Sequence, residues 1–342
     1  MYRFNNDYCH GAHPEVLKSL VETNDNAYCG YGLDEVCTAA KAEIAKYLGD
    51  ADADIHFLVG GTQTNYTVIS AALKSYQGVV SADTGHIHVH ETGAVEHVGH
   101  KILALPATNG KITAEQIKKV AQDYADSDVQ EHITQPKMVY ISFPTEFGTI
   151  YSKQELIDIS NVCKNYGMYL FVDGARMSYG LASCDVTLAD LAKYTDVFYI
   201  GGTKCGAMFG EAVVITNNNL KPDFRSFIKQ NGGMLAKGWT LGLQFYTLFK
   251  DGLYFEIAKK SIEQAMRIKN AFINKSIEIY IDSPTNQQFV AVSDDVYNTL
   301  KKEFYFENEG QTEDGKKIIR FCTAWSTDDA EVDALVESIN KL

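Results

Sequence analysis

The 342-residue chain is predicted to be an α/β protein: helices cover a mainly parallel sheet, and a smaller α+β unit follows. Three observations predict this. The apolar segments of the first 250 residues are short continuous runs, as in strands buried on both faces, and do not alternate. Segments with helical apolar spacing separate them. After about Leu253 a long helical stretch gives way to alternating β-like runs and shorter helices. The large unit is therefore placed at residues 1–250 and the small one at 251–342.

The elements follow in order. Residues 54–59 (DIHFLV) read as a strand running into Gly60, Gly61 and Thr62. The stretch QTNYTVISAALKSY then has helical spacing. Residues 137–143 (KMVYISF) are a second strand. Residues 155–165 are a helix, with Leu156, Ile159 and Val162 at three-residue steps. Residues 168–172 (MYLFV) are a strand that stops at Asp173 and Gly174. Residues 197–200 end at Gly201 and Gly202, and residues 211–215 make one more strand. In the small unit, residues 255–275 are helical, and QFVAV and IIRFCTAW are strands. Ligand crevices in such sheets lie outside the carboxyl ends of the strands, so chemistry is sought in the polar residues there.

Composition narrows the partners. A net charge of −13 repels nucleic acid and anionic lipid, so neither is an expected partner. The opening MYRFNNDYCHGAHPEV has no apolar core after a basic end, and no apolar run approaches membrane-spanning length. Seven scattered cysteines without a CxxC pair fit reduced thiols in a cytoplasm.

Three strand ends carry distinctive groups. Gly60-Gly61-Thr62 opens a helix, where glycines admit a phosphate to free N–H groups; the plain alternative is a tight turn. The pattern is neither GxGxxG nor GxxxxGK[ST], which weakens nucleotide readings. Asp173 ends an apolar strand, where a carboxylate is costly unless paired. Arg176 is its simplest structural partner; the functional reading is an acid that keeps a proton on a ring nitrogen. Lys204 sits in a turn of glycines and small residues after the next strand. Most lysines are solvated surface groups, but desolvation there would give the neutral amine that a Schiff base needs. A phosphate cradle, a ring-nitrogen acid and a Schiff-base lysine are the parts of a pyridoxal phosphate site. Asp173 precedes Lys204 by 31 residues, one strand–helix–strand unit.

With these residues the chain resembles the threonine aldolase group of the β-eliminating lyases, fold-type-I pyridoxal phosphate enzymes. The motifs are FNNDY, YGLDE, GGTQTN, HIHVHETGA, VDGAR, GGTKCGA and IRFCTAW, spread over residues 4 to 325. The resemblance implies an aspartate-aminotransferase-like fold with a seven-stranded sheet, and an N-terminal segment that packs on the small unit. It implies Lys204 as the lysine that carries the cofactor and Asp173 as the acid at the ring nitrogen. Gly61, Thr62 and Thr203 would hold the phosphate. It further implies a homodimer or homotetramer with sites between subunits, Lys237 reaching the cofactor phosphate from the neighbour and Tyr31 reaching the substrate. Arg176 and Arg320 match carboxylate-binding positions, and Asn6 stands where the family usually has a serine.

The run HIHVHETGAVEHVGH holds five of nine histidines, His86, His88, His90, His97 and His100. On a strand, HxHxH would put three rings on one face, as a metal-dependent hydrolase would use them. The resemblance implies instead that His86 stacks on the cofactor ring, without a metal. Many family members carry a histidine after the strand that reads ISFPTEFGT here; this chain has Glu146. Glu146 or His86 would accept the β-hydroxyl proton of a substrate. The expected reaction is aldol cleavage of L-threonine or L-allo-threonine to glycine and an aldehyde. β-Elimination, transamination and racemisation use nearly the same residues.

Overall fold

A computed structural model describes residues 1–342. A two-residue strand, β1 (Tyr2–Arg3), precedes the central sheet. That sheet comprises β2 (Asp54–Leu58), β3 (Gln77–Ala82), β4 (Lys101–Leu105), β5 (Gln135–Ser142), β6 (Tyr169–Asp173), β7 (Val197–Gly201) and β8 (Glu211–Ile215). Its order is β2-β8-β7-β6-β5-β3-β4. Only β8 runs against its neighbours; every other pairing is parallel.

Two-sided burial explains the continuous apolar runs. Along β5, β6 and β7, Val139, Ile141, Leu170, Val172, Phe198 and Ile200 enter one core. Met138, Tyr140, Phe171, Val197 and Tyr199 alternate with them into a second core on the other face. The helix Lys153–Asn165 covers the first face through Leu156 and Ile159. The helix Gly61–Ala72 covers the second through Val68 and Ile69. Phe171 and Phe198 are fully buried; burying each contributes about 1.5–3 kcal/mol.

The remaining strands are β9 (Glu278–Ile281), β10 (Gln287–Val292), β11 (Phe304–Tyr305), β12 (Glu307–Gln311) and β13 (Lys317–Cys322). Four of them form an antiparallel sheet ordered β12-β13-β10-β9. The N-terminal β1 pairs in parallel with β11, and Phe4 enters a third core with Phe272, Val290, Ile319 and Phe321. The helix Leu253–Asn274 spans both regions. Its start packs Tyr254 and Ile257 on the first core, and its end packs Ile268 and Phe272 into the third.

Three sequence expectations shift. The helix expected from Gln63 begins at Gly61, two residues early, so Gly61 and Thr62 lie in its first turn. β3 and β4 are strands beyond the five that the element-by-element reading places in the large unit. His86–Val89 is a short helix and not a strand, so HxHxH does not align three rings on one face.

Candidate active site

The carboxyl ends of β5, β6 and β7 and the N-terminus of the helix Gly61–Ala72 surround a cavity of about 230 Å³. Eight of the residues expected from sequence line it: Gly61, Thr62, His86, Glu146, Asp173, Arg176, Thr203 and Lys204.

Asp173 ends β6 and is 3% exposed. Tyr140 Oη donates to its Oδ2 at 2.5 Å, and Asn65 Nδ2 to the same oxygen at 3.1 Å. Tyr199 Oη and the Ala175 N–H donate to Oδ1. Both oxygens are thus satisfied, as burial of a charge requires. Burial, then the Asp173 charge, pushes both tyrosines well above their ordinary range, so they stay donors. The turn after β6 must pass close to β7: a Cβ on Gly174 would lie 1.9 Å from the Tyr199 carbonyl oxygen. Only glycine fits there.

Lys204 lies beyond β7, half-buried, its amine 5.8 Å from the centre of the Tyr8 ring. Burial lowers its pKa, and Arg176 adds to this; Asp7, Asp173 and Glu211 oppose it. The net shift favours the neutral amine, the nucleophilic form.

Arg176 does not pair with Asp173. Its Nε and Nη2 donate to Asp7 at 2.7 and 3.0 Å in a bidentate fork. Asn286 Nδ2 donates to Asp7 at 3.0 Å. Burial alone would raise the Asp7 carboxyl, but Arg176 and Lys204 outweigh it and hold it at about 2. Asp7 belongs to the FNNDY motif, yet its partner is 169 residues away, so sequence reasoning gave it no role.

His86 Nδ1 lies 2.8 Å from Glu91 Oε1, which also accepts from Asn65 at 2.8 Å. Burial would lower the imidazole pKa; the Glu91 hydrogen bond and the Asp173 charge overcome it and raise it. Glu146 Oε1 accepts from Ser142 Oγ at 2.6 Å and from the His86 N–H at 2.9 Å. Burial raises Glu146 above the ordinary carboxylate range, against those hydrogen bonds.

Four expected residues lie outside the cavity lining. The Asn6 side chain accepts from the Tyr8 N–H at 3.0 Å. Arg320 Nη1 lies 3.1 Å from Glu309, its Nη2 donates to the Asn5 carbonyl, and its buried Nε has no partner. Tyr31 and Lys237 sit together elsewhere: the Tyr31 N–H donates to the Ala236 carbonyl at 3.2 Å. Tyr31 is 46% exposed and has φ 63°, a strained value for a residue with a side chain. Sequence reasoning gave no role to several lining residues, Ser142, Tyr199 and Glu211 among them. Glu211 opens β8 and is 3% exposed; a charged residue opening an apolar strand was the available signal.

A family model described as β-eliminating lyase matches residues 15–294. The chain belongs to the β-eliminating lyase family. A low specificity L-threonine aldolase from a Pseudomonas species is 30% identical to it, covering 98% of this chain and 96% of that protein. The solved threonine aldolase of Leishmania major superposes with a TM-score of 0.96 at 42% identity, covering 100% and 99% of the two chains. Histidinol-phosphate aminotransferase from Clostridium acetobutylicum shares the fold at 14% identity, with a TM-score of 0.73 and coverage of 100% and 98%. The fold is therefore fold type I, and this β-eliminating lyase is a pyridoxal-phosphate-dependent enzyme. The cavity fits that cofactor. No atom lies within 4 Å of a Cβ built on Gly60, so the approach to the backbone is open. The helix after it has no side-chain cap, leaving first-turn N–H groups for an anion. The buried Asp173 carboxylate, held by its hydrogen bonds at the end of β6, and the half-buried Lys204 amine complete the set.

Proposed function

We propose that this β-eliminating lyase cleaves L-threonine and L-allo-threonine between Cα and Cβ, giving glycine and an aldehyde. The observation that carries the reading is the convergence of Lys204, Asp173, His86 and Glu146 on one cavity. The threonine aldolases among its relatives support the substrate.

Pyridoxal phosphate, when bound, supplies an electron sink for the pair left at Cα when the bond breaks. Lys204 is the residue for its covalent attachment and Asp173 for its ring nitrogen. Gly61, Thr62 and Thr203 are the residues that would hold its phosphate, and His86 would lie over its ring. Arg176 Nη1, left over from the fork to Asp7, and Arg320 bind the substrate carboxylate, with Asn6 beside them. Glu146 takes the β-hydroxyl proton. Two donors occupy its Oε1, so Oε2 is the accepting atom. Burial makes that oxygen a stronger base than an exposed carboxylate. His86 is the alternative acceptor.

We propose further that residues 1–250 form the cofactor-binding unit and 251–342 a smaller one, with β1 added to the latter. We also propose that the working particle is a homodimer or homotetramer in which Tyr31 and Lys237 complete the neighbour's site. Their shared, exposed position away from their own cavity supports this. Seven free cysteines and the lack of a helix long and apolar enough to cross a membrane support a reduced cytoplasmic setting.

Product analysis tests the reaction. Glycine and acetaldehyde in equal amounts from L-threonine are expected. A 2-oxo acid with ammonia would replace the aldol reading by β-elimination on the same residues.

A further inference from the structure

Glu211 is the carboxylate of the cavity for which the proposed chemistry has no use, and it touches Thr203. Hydrogen-bond accounting shows why that matters. Thr203 Oγ1 has one proton and two lone pairs. Its proton goes to Glu211 Oε1 at 2.8 Å, and one lone pair accepts from the Gly210 N–H at 3.0 Å. Glu211 Oε2 accepts from the Gly202 N–H at 3.1 Å. An ionised Glu211 can only accept. It therefore holds the hydroxyl proton, and Thr203 offers a lone pair to the cavity, which repels a phosphate oxygen. A protonated Glu211 reverses one bond without moving an atom. Its O–H donates to Thr203 Oγ1, Oε2 still accepts from Gly202, and the Thr203 proton is free to turn to the cavity.

We infer that Glu211 is a positioning residue that must carry a proton for Thr203 to donate to the cofactor phosphate, so that binding to the ionised enzyme takes up one proton from solvent at Glu211. The inference rests on the proposed phosphate role of Thr203. The surroundings agree with it. Lys204 in the same turn favours the ionised form. Asp173 at the end of β6 opposes it. Tyr199 on β7 and Tyr254 on the helix Leu253–Asn274 also face the carboxyl, as neutral groups. Burial dominates and pushes Glu211 up to about 8. A phosphate beside it adds negative charge and strengthens proton binding further.

Glu211→Gln is the diagnostic variant, because the amide mimics the protonated acid: N–H towards Thr203, oxygen towards Gly202. Pyridoxal phosphate is titrated into the wild type, Glu211→Gln and Thr203→Ala from about pH 6 to about pH 10, following tryptophan fluorescence. The wild-type to Glu211→Gln affinity ratio cancels ionisation of Lys204 and of the phosphate itself. It is expected to be flat below about pH 8 and to fall about tenfold per pH unit above it. Calorimetry at alkaline pH, in buffers of different ionisation heat, is expected to show one more proton taken up by the wild type than by Glu211→Gln. A ratio constant across the whole range overturns the inference. If Thr203→Ala binds as tightly as the wild type at every pH, the phosphate role of Thr203 falls, and the inference with it. If Thr203→Ala binds weakly while the ratio stays constant, Glu211 alone is misread.

Discussion

At the scale of single residues, each buried carboxylate of the site has a named hydrogen-bond partner. The Asp7–Arg176 fork is the clearest. Removing one member of a buried pair typically costs about 3–5 kcal/mol, because the other charge is left unpaired. Asp7→Asn is therefore expected to lower the stability of the holoenzyme to urea by that order. The pH dependence has a definite sign. The folded Asp7 value of about 2 is below the ordinary 3.8. Its contribution is complete above the unfolded value, near pH 4, and is lost as pH falls through about 2. Urea midpoints should fall over that window in the wild type, and less steeply in Asp7→Asn. Glu146→Gln is expected to reduce kcat for aldol cleavage by about 10²- to 10⁴-fold, the usual range for a general base. If Glu146→Gln and His86→Phe both cleave at the wild-type rate, neither takes the hydroxyl proton. Lys204 and Asp173 were legible in the sequence, since each stands alone after an apolar strand. Asp7, Asn65 and Glu211 were not. Asp7 and Asn65 meet their partners across 169 and 108 residues, and Glu211 has a plain structural reading as the start of a strand.

At the scale of elements, the site depends on how closely the ends of β6 and β7 approach. Gly174 sets that distance, and a Cβ there meets backbone, which cannot move aside as a flexible side chain would. Gly174→Ala is expected to destabilise the protein by about 1–3 kcal/mol and to weaken cofactor binding. Wild-type thermal stability and cofactor affinity in that variant would show that the strand ends have slack. The strands that carry the site were readable because two-sided burial writes a continuous apolar run. β3 and β4 were not. Gln77, Gly78 and Ser81 dilute the first, although all its residues are buried. β4 lies at the sheet edge, where only Ile102 is buried. The histidine run shows the converse hazard. Its alternation fits a strand on paper, but Gly85 opens a helix there, and His86 alone of the five lines the cavity.

At the scale of the whole molecule, one chain holds a cavity lined by Lys204, Asp173, Gly61 and Thr62, while Tyr31 and Lys237 lie outside it. The account therefore expects a particle of at least twice 38.0 kDa by light scattering. It also expects complementation. Lys204→Ala and Lys237→Ala, each of low activity alone, should recover about one quarter of wild-type activity when refolded together, because half of the hybrid dimers' sites are intact. No recovery would place Lys237 in its own protomer's site, and wild-type activity of Lys237→Ala alone would place it outside any site. Texture alone predicts a second unit after about residue 253, where the antiparallel sheet β12-β13-β10-β9 lies. Residue type alone singles out neither Tyr31 nor Lys237, because an exposed tyrosine and an exposed lysine read as ordinary solvated groups; only the family resemblance named them. The most direct measurement of the central claim is the release of acetaldehyde and glycine from L-threonine, with added pyridoxal phosphate, by the wild type and by Lys204→Ala. The account predicts both products in step from the wild type and none from the variant, together with loss of the variant's lysine-bound visible absorbance. Acetaldehyde released at the same rate by Lys204→Ala would contradict it.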